Sequence, residues 1–225
     1  MQNEEVPGHQ ASRRGVRSSD WSEFASIGQI SLVARDAELK LLWCNDHFAH
    51  EQGTTAKALQ GTALSSIITR SAADERGAAM QPVLDTGQPS RYYQMWRGRR
   101  SLTRVWRLDP DEFGKHGYLI MVEPALVTAN QGTDIPTLRT ADLDGLGCLT
   151  RRELEVLQLI AEGNSAAEAA DKLSRSVRTV ENHVAAMHAK LGFSRRAELT
   201  RFAVERGVLA FTREQWATIA ANARE

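Results

Sequence analysis

The stretch Ser165–Gly192, SAAEAADKLSRSVRTVENHVAAMHAKLG, decides how the chain folds. Ser165 stands three residues before Glu168. Its hydroxyl can take a backbone N–H while the carboxylate reaches back to the cap, and this capping box starts a helix over Ala166–Leu173. The helix is small-sided, with Ala166, Ala167, Ala169 and Ala170, and small residues let two helices approach closely. Ser174-Arg175-Ser176 reads as a three-residue turn. Ser176 caps a longer helix over Val177–Leu191, which ends at Gly192. A helix, a tight turn and a longer helix make a helix-turn-helix arrangement.

The longer helix has two faces. Val177, Val180, Val184, Met187 and Leu191 recur at three- and four-residue steps and are expected to form the buried stripe. The other face carries Arg178, Thr179, Asn182, Ala185, Ala186 and Ala189, with Glu181 at one edge. Alanines on an exposed face gain nothing by solvation, but they fit a face that slides into a major groove, where bulk would clash. Arg178 suits guanine, Asn182 suits adenine, and Glu181 can accept from a cytosine amino group. Arg175, Arg178, Lys190, Arg195 and Arg196 lie around the turn and both ends of this helix, where phosphates would pass. The expected DNA-binding set is Arg175, Ser176, Arg178, Thr179, Glu181, Asn182, Ala185, Ala186, Lys190, Arg195 and Arg196.

Outward from this stretch, Thr150 and Glu153 form a second capping box. It starts a helix over Arg151–Ala161 with Leu154, Leu157, Ile160 and Ala161 on its buried side. Ser194 is expected to cap a further helix. Four helix starts over 148–209 read as a compact all-α unit. Thr212 and Gln215 form one more capping box, which predicts an extra helix within 210–225.

The words Leu149–Leu157, Ala161–Ser165, Ser176–His183 and Lys190–Gly192, with Ser194–Leu199 opening the fourth helix, closely resemble the LuxR-type DNA-binding domain. The resemblance covers about sixty residues. It implies that the third helix reads the major groove and that the fourth supports dimerisation. The chain departs from the family at three places: Arg175 stands where an apolar residue is usual, Glu181 and Ala185 where basic residues are common, and Ser174 where Gly or Asn is frequent.

The N-terminal half has a different pattern. Residues 1–19 are polar, with Arg13, Arg14 and Arg17, and read as a disordered tail. From Ile27 an alternating run, an acidic turn at Asp36-Ala37-Glu38 and a second run to Cys44 predict a hairpin. Asn45 is placed to cap a short helix carrying Phe48. A helix over Ala72–Leu84, with Ala79, Met80, Val83 and Leu84 as its stripe, ends at Thr86–Pro89. Strands are expected at Tyr92–Trp96, Leu102–Leu108 and Tyr118–Val122. Two strands, short helices and three strands over 20–124 predict an antiparallel five-stranded sheet with helices. This order, with Asn45 and Phe48 after the hairpin and Gly61 before the next helix, resembles the PAS sensor fold. Residues 125–147, with Gly, Pro and acidic residues, read as an interdomain linker. The fold class expected is therefore α+β: a PAS-like sheet domain followed by an all-α helix-turn-helix domain.

Lys+Arg and Asp+Glu each number 28, so overall charge points to neither nucleic acid nor membrane. Over 148–209, ten basic and eight acidic residues leave +2. A monomer so weakly charged should bind DNA weakly, and dimerisation on a two-fold-symmetric site would compensate. Two distant cysteines fit a reducing cytoplasm. No apolar run is long enough to span a bilayer, and the N-terminus does not read as a secretory signal. The expected location is cytoplasmic, with no membrane partner. Cys44, His47 and His50 are spaced three apart, which admits a metal or haem contact; a strand-end cysteine and two helix histidines is the better account. The sequence identifies no cofactor. The expected partners are double-stranded DNA and a second copy of the chain, with RNA polymerase and a small ligand of the PAS-like domain considered beside them. Two alternatives stay open: an interaction protein whose DNA face has drifted, motivated by Glu181 and Ala185, and a regulator sensing an autoinducer-like small molecule. No nucleophile–base pair, phosphate loop or paired-carboxylate motif points to an enzyme.

Overall fold

The computed structural model describes residues 30–125 and 135–223. The expected tail at 1–19, residues 20–29 and the middle of the expected linker, 126–134, lie outside the described residues. β1 (Ser31–Asp36) and β2 (Leu41–Cys44) form the expected hairpin, with Val33 opposite Cys44. Asn45 ends the second strand. Its Oδ1 accepts from the N–H groups of Phe48 and Leu32, both at 3.1 Å, so one side chain caps α1 (Asp46–Glu51) and ties it to β1. A short α2 (Ala56–Leu59) follows, capped by Thr55. The long helix α3 (Arg70–Thr86) extends the expected span by two residues at each end, and Gly87 closes it in the left-handed conformation.

β3 (Ser90–Trp96), β4 (Arg99–Arg107) and β5 (Gly117–Pro124) complete the sheet. Between the last two, where sequence reading gave only a turn, Asp109 caps a single helical turn, α4 (Pro110–Phe113). The strand order is β2-β1-β5-β4-β3, with every pairing antiparallel. The expected five-stranded antiparallel sheet with helices is therefore present. One detail differs. The alternation in β1 implied a wet face, yet all six of its residues are buried. Val33 packs with Phe48, Met80 and Tyr92, while Leu32 and Ala34 point the other way and pack with Leu108 and Leu119.

The described part of the expected linker lies against the sheet edge. The Tyr93 N–H donates to the Pro136 carbonyl at 2.8 Å, and the Tyr93 carbonyl accepts from the Leu138 N–H at 2.9 Å. The Asp142 N–H donates to the Met95 carbonyl at 3.1 Å. From the other side, the Glu75 carboxylate accepts the N–H groups of Arg139 and Thr140, both at 2.8 Å. The turn between β3 and β4 is Arg97-Gly98, both with positive φ, which matches the twist of a tight hairpin. A Cβ on Gly98 would sit 2.7 Å from the Leu143 carbonyl, so glycine here also lets the segment close on the turn.

Among the described residues, five α-helices form the C-terminal part: α5 (Arg151–Ala161), α6 (Ala166–Leu173), α7 (Val177–Leu191), α8 (Arg196–Glu205) and α9 (Arg213–Ala220). The first three have the expected bounds, because each start is written in a cap and each end in a short polar or glycine-containing exit. Their shared core includes Leu154, Leu157, Ile160, Val180, Met187 and Leu199. α9 seals it. Trp216 is fully buried (0% exposed), and its Nε1 donates to the Leu154 carbonyl at 2.8 Å. The two halves meet at a seam where the Arg100 N–H donates to the Arg206 carbonyl at 2.8 Å. The Arg100 guanidinium lies 3.6 Å from the Tyr93 ring centroid and 5.5 Å from that of Phe211. No described helix is long and apolar enough to cross a membrane.

Candidate nucleic-acid interface

α6 and α7 are set by their caps. Ser165 Oγ accepts the Glu168 N–H at 3.2 Å, and the Glu168 carboxylate accepts the Ser165 N–H at 2.7 Å. The Ser165 N–H, and then the Ser165 hydroxyl that donates to the same oxygen at 2.7 Å, hold the Glu168 carboxyl below its ordinary range. Ala169 and Ala170 are buried, which is what lets α6 sit close under α7. The turn then needs a left-handed residue, and Ser174 supplies it at φ 52 and ψ 51. The Arg175 N–H donates to the Ala170 carbonyl at 2.9 Å and closes the turn. Ser176 Oγ accepts the Thr179 N–H at 3.1 Å and lies 2.8 Å from Thr179 Oγ1, so these two hydroxyls serve the start of α7.

α7 is anchored along its inner side. Val180 and Met187 are buried, and Val184 and Leu191 pack against the same core. Val177, expected in this stripe, is 42% exposed. It is the first residue of the helix, so no earlier turn lies beside it, and spacing alone cannot separate that position from a core one. It joins the outward face instead. Arg178, Glu181, Asn182 and Ala185 are exposed on α7, and Thr179 and Ala186 are half-buried. Among the described residues no hydrogen bond or ion pair ties this outward face to the N-terminal domain.

The expected basic residues divide into two groups. Arg175, Arg195 and Arg196 are exposed at the turn and at the start of α8. Lys190 is engaged: its Nζ lies 2.7 and 2.9 Å from the two oxygens of the buried Glu153 carboxylate. Burial works against ionisation of Glu153, but the Lys190 ammonium and the Thr150 N–H outweigh it and hold the carboxyl below its ordinary range. Lys190 therefore locks the C-terminal end of α7 onto the start of α5. Arg196 is partly engaged too, donating to the Asn164 carbonyl. Ser194 is not the cap of α8; Arg195 takes the cap position, and the Glu198 carboxylate accepts the N–H groups of Ser194 at 2.8 Å and Arg195 at 2.7 Å.

The other candidate cluster does not come together. Cys44 is buried at its strand end, His50 is exposed, and His47 lies 4.0 Å from Glu51. Among the described residues no group of three or more His, Cys, Asp or Glu side chains could hold a metal ion.

A capped short helix, a left-handed turn and a longer helix that buries one side and presents the other define a helix-turn-helix module. Residues 148–203 match GerE, the bacterial regulatory proteins of the luxR family, and this part of the chain is a LuxR-type helix-turn-helix domain. The oxygen regulatory protein NreC of Staphylococcus aureus (strain JH9) is 43% identical over 68 residues, which are 30% of this chain and 31% of that protein. The chain thus matches about a third of the length of this relative. Among solved structures, a Vibrio cholerae VqmA–ligand–DNA complex aligns over 90% of this chain and 93% of that one, at 17% identity and a TM-score of 0.45. The PAS domain of nitrogen regulation protein NR(II) from Vibrio parahaemolyticus aligns over 46% and 96%, at 15% identity and a TM-score of 0.37. At such scores neither likeness bears on the function of this chain.

Proposed function

We propose that this chain is a sequence-specific DNA-binding transcription regulator that binds pseudo-palindromic sites as a homodimer, with residues 20–124 as its input domain and 148–209 as its DNA-binding domain. The observation that carries the reading is the outward face of α7. Arg178 and Asn182 are exposed beside the small Ala185, on a helix whose opposite side is fixed in a core. Such a face enters a major groove without a clash and offers Arg for guanine and Asn for adenine. Arg175, Arg195 and Arg196 meet phosphates on either side, and Ser176, Thr179 and Ala186 line the entry. Lys190 acts here by holding α7 in place through Glu153. Val204, 43% exposed on α8, supports an apolar contact to a second copy. The DNA-bound dimer would then meet RNA polymerase. Site selection from random duplexes by the full-length protein tests the reading. A two-fold-symmetric site with half-sites about one helical turn apart is expected. An unchanged site preference in Arg178→Ala overturns the assignment of this face. Glu181, an exposed carboxylate on the same face, favours a second reading as a protein-interaction module. Absent or salt-insensitive DNA binding decides for that one.

A further inference from the structure

Between α3 and the sheet, the N-terminal domain lines a small cavity of about 40 Å³. Much of its wall is apolar, from Phe48, Met80 and Val122 among others, but two guanidinium groups also line it. Arg35 is 2% exposed and Arg76 is 3% exposed. Each is held in place on one side. Arg35 Nη1 donates to the Leu39 carbonyl at 2.7 Å. Arg76 donates from Nε to Gln94 Oε1 at 2.7 Å, and from Nη1 to the Ala72 carbonyl at 3.0 Å and Thr140 Oγ1 at 3.2 Å.

The remaining donors are what single the cavity out. Arg35 Nη2, Arg76 Nη2 and Trp96 Nε1 are buried without a hydrogen-bond partner among the described residues, and all three side chains line the same space. Two of the nearby carboxylates are occupied elsewhere, and Asp142 acts on Arg76 only through its charge, with no hydrogen bond to it among the described residues. Asp36 accepts the Lys40 N–H at 2.8 Å and lies 3.7 Å from Lys115 Nζ. Glu75 is taken by the backbone of Arg139 and Thr140. No ion pair among the described residues reaches either guanidinium. Burial pushes Arg35 down to about 10 and lowers Arg76 as well, as expected of cations short of counter-charge. A protein that needed only to fill this space would do so more cheaply with leucine or methionine. Water could occupy the donors, since each molecule needs roughly 10–15 Å³ of such volume, but it brings no charge.

We propose that this cavity binds a small organic carboxylate, whose oxygens are taken by the free Nη2 groups of Arg35 and Arg76 with Trp96 Nε1 as the third donor, and whose short apolar body lies against Phe48 and Met80. Arg76 gives the site a route outward, because the same guanidinium that meets the ligand holds Thr140 on the segment leading to the helix-turn-helix domain. This signalling consequence rests on the reading of residues 20–124 as an input domain; the binding itself does not.

The experiment is calorimetric titration and thermal denaturation of the full-length protein with formate, acetate and propionate, each beside its neutral amide, at constant ionic strength. At least one acid should bind saturably and raise Tm, and its amide should bind about tenfold more weakly or worse, because charge-assisted hydrogen bonds are lost. Arg76→Gln should abolish the preference for acid over amide, and Arg76→Lys should restore part of it. Val122→Phe, which fills the cavity while leaving both guanidiniums in place, should block binding and covers the case in which Arg76→Gln does not fold. Equal binding of acid and amide, no binding of any acid at millimolar concentration, or full binding by Val122→Phe overturns the proposal. Operator affinity measured with and without the bound acid is a separate readout. Acid binding that leaves operator affinity unchanged supports the cavity and overturns the input-domain reading.

Discussion

Replacing Trp216 by alanine should destabilise the C-terminal helices by about 3–5 kcal/mol, the range for losing a large buried aromatic side chain. The magnitude follows from its position. The side chain is fully buried, between α5 and the rest of α9, with the Phe211 ring centroid 5.8 Å away. A buried tryptophan removes roughly 150–250 Å² from water, which at about 25 cal/mol per Å² sets a gross value of about 4–6 kcal/mol. Phenylalanine tests the components separately. It keeps most of the area but loses the Nε1 hydrogen bond to the Leu154 carbonyl. That carbonyl also lies within reach of the Gln158 N–H one helical turn on, so it is not orphaned by the change. Trp216→Phe should therefore cost only about 1–2 kcal/mol, from one net hydrogen bond and a small void. Urea denaturation of the full-length protein, followed by far-UV circular dichroism, measures both. If Trp216→Ala falls within about 1 kcal/mol of the unaltered protein, α9 is an appendage that does not seal the core.

The pair Glu153–Lys190 gives a pH signature. The Glu153 carboxyl is held below its ordinary range, so its contribution is present above that range and is lost as pH falls through the depressed value. Glu153→Gln should cost about 1–2 kcal/mol at neutral pH, given that Lys190 is partly in water, and thermal melts should show the deficit shrinking in acid. Ser174→Gly should raise stability by about 0.5–1 kcal/mol, because the left-handed strain at φ 52 outweighs the entropy glycine adds to the unfolded chain; a lower denaturation midpoint would contradict the turn geometry. Arg178→Ala and Asn182→Ala should each cost about 1–3 kcal/mol in operator binding and relax preference at separate base positions, as read by binding to single-base operator variants. If Arg175, Arg195 and Arg196 of both copies meet phosphates, log affinity should fall with log salt at a slope of roughly −5; a slope near zero would remove these residues from the interface.

What could be read in the sequence was whatever is written in local chemistry. Thr150 with Glu153 and Ser165 with Glu168 mark helix starts because a hydroxyl and a carboxylate three residues apart satisfy each other's backbone. Asn45 marks the end of the hairpin for a similar reason. What escaped reading depends on neighbours distant in sequence. Val177 has core spacing yet lies beyond the core, because periodicity does not say where a helix begins to be covered. Lys190 has the position of a phosphate contact in the sequence, but its partner is Glu153, thirty-seven residues away. Nothing local marks Arg35 and Arg76 as buried, because charged residues are rarely buried without a partner. The glycine- and proline-containing composition of 135–147 reads as loose linker, whereas its backbone bonds go to β3 and α3. The PAS-like sheet was legible as an element order, but the burial of both faces of β1 was not, since alternation looks the same whether the second face is wet or covered.

The strip of backbone laid along β3 has a practical consequence for grafting. β3 is the last strand of the sheet, and an open edge invites pairing with a foreign strand. Residues 136–142 occupy that edge by bonding to Tyr93 and Met95, so they act as a guard against aggregation as well as a connection. A hybrid regulator that joins another output module directly after Pro124 would strip the guard away. One joined after Gly147 would keep it.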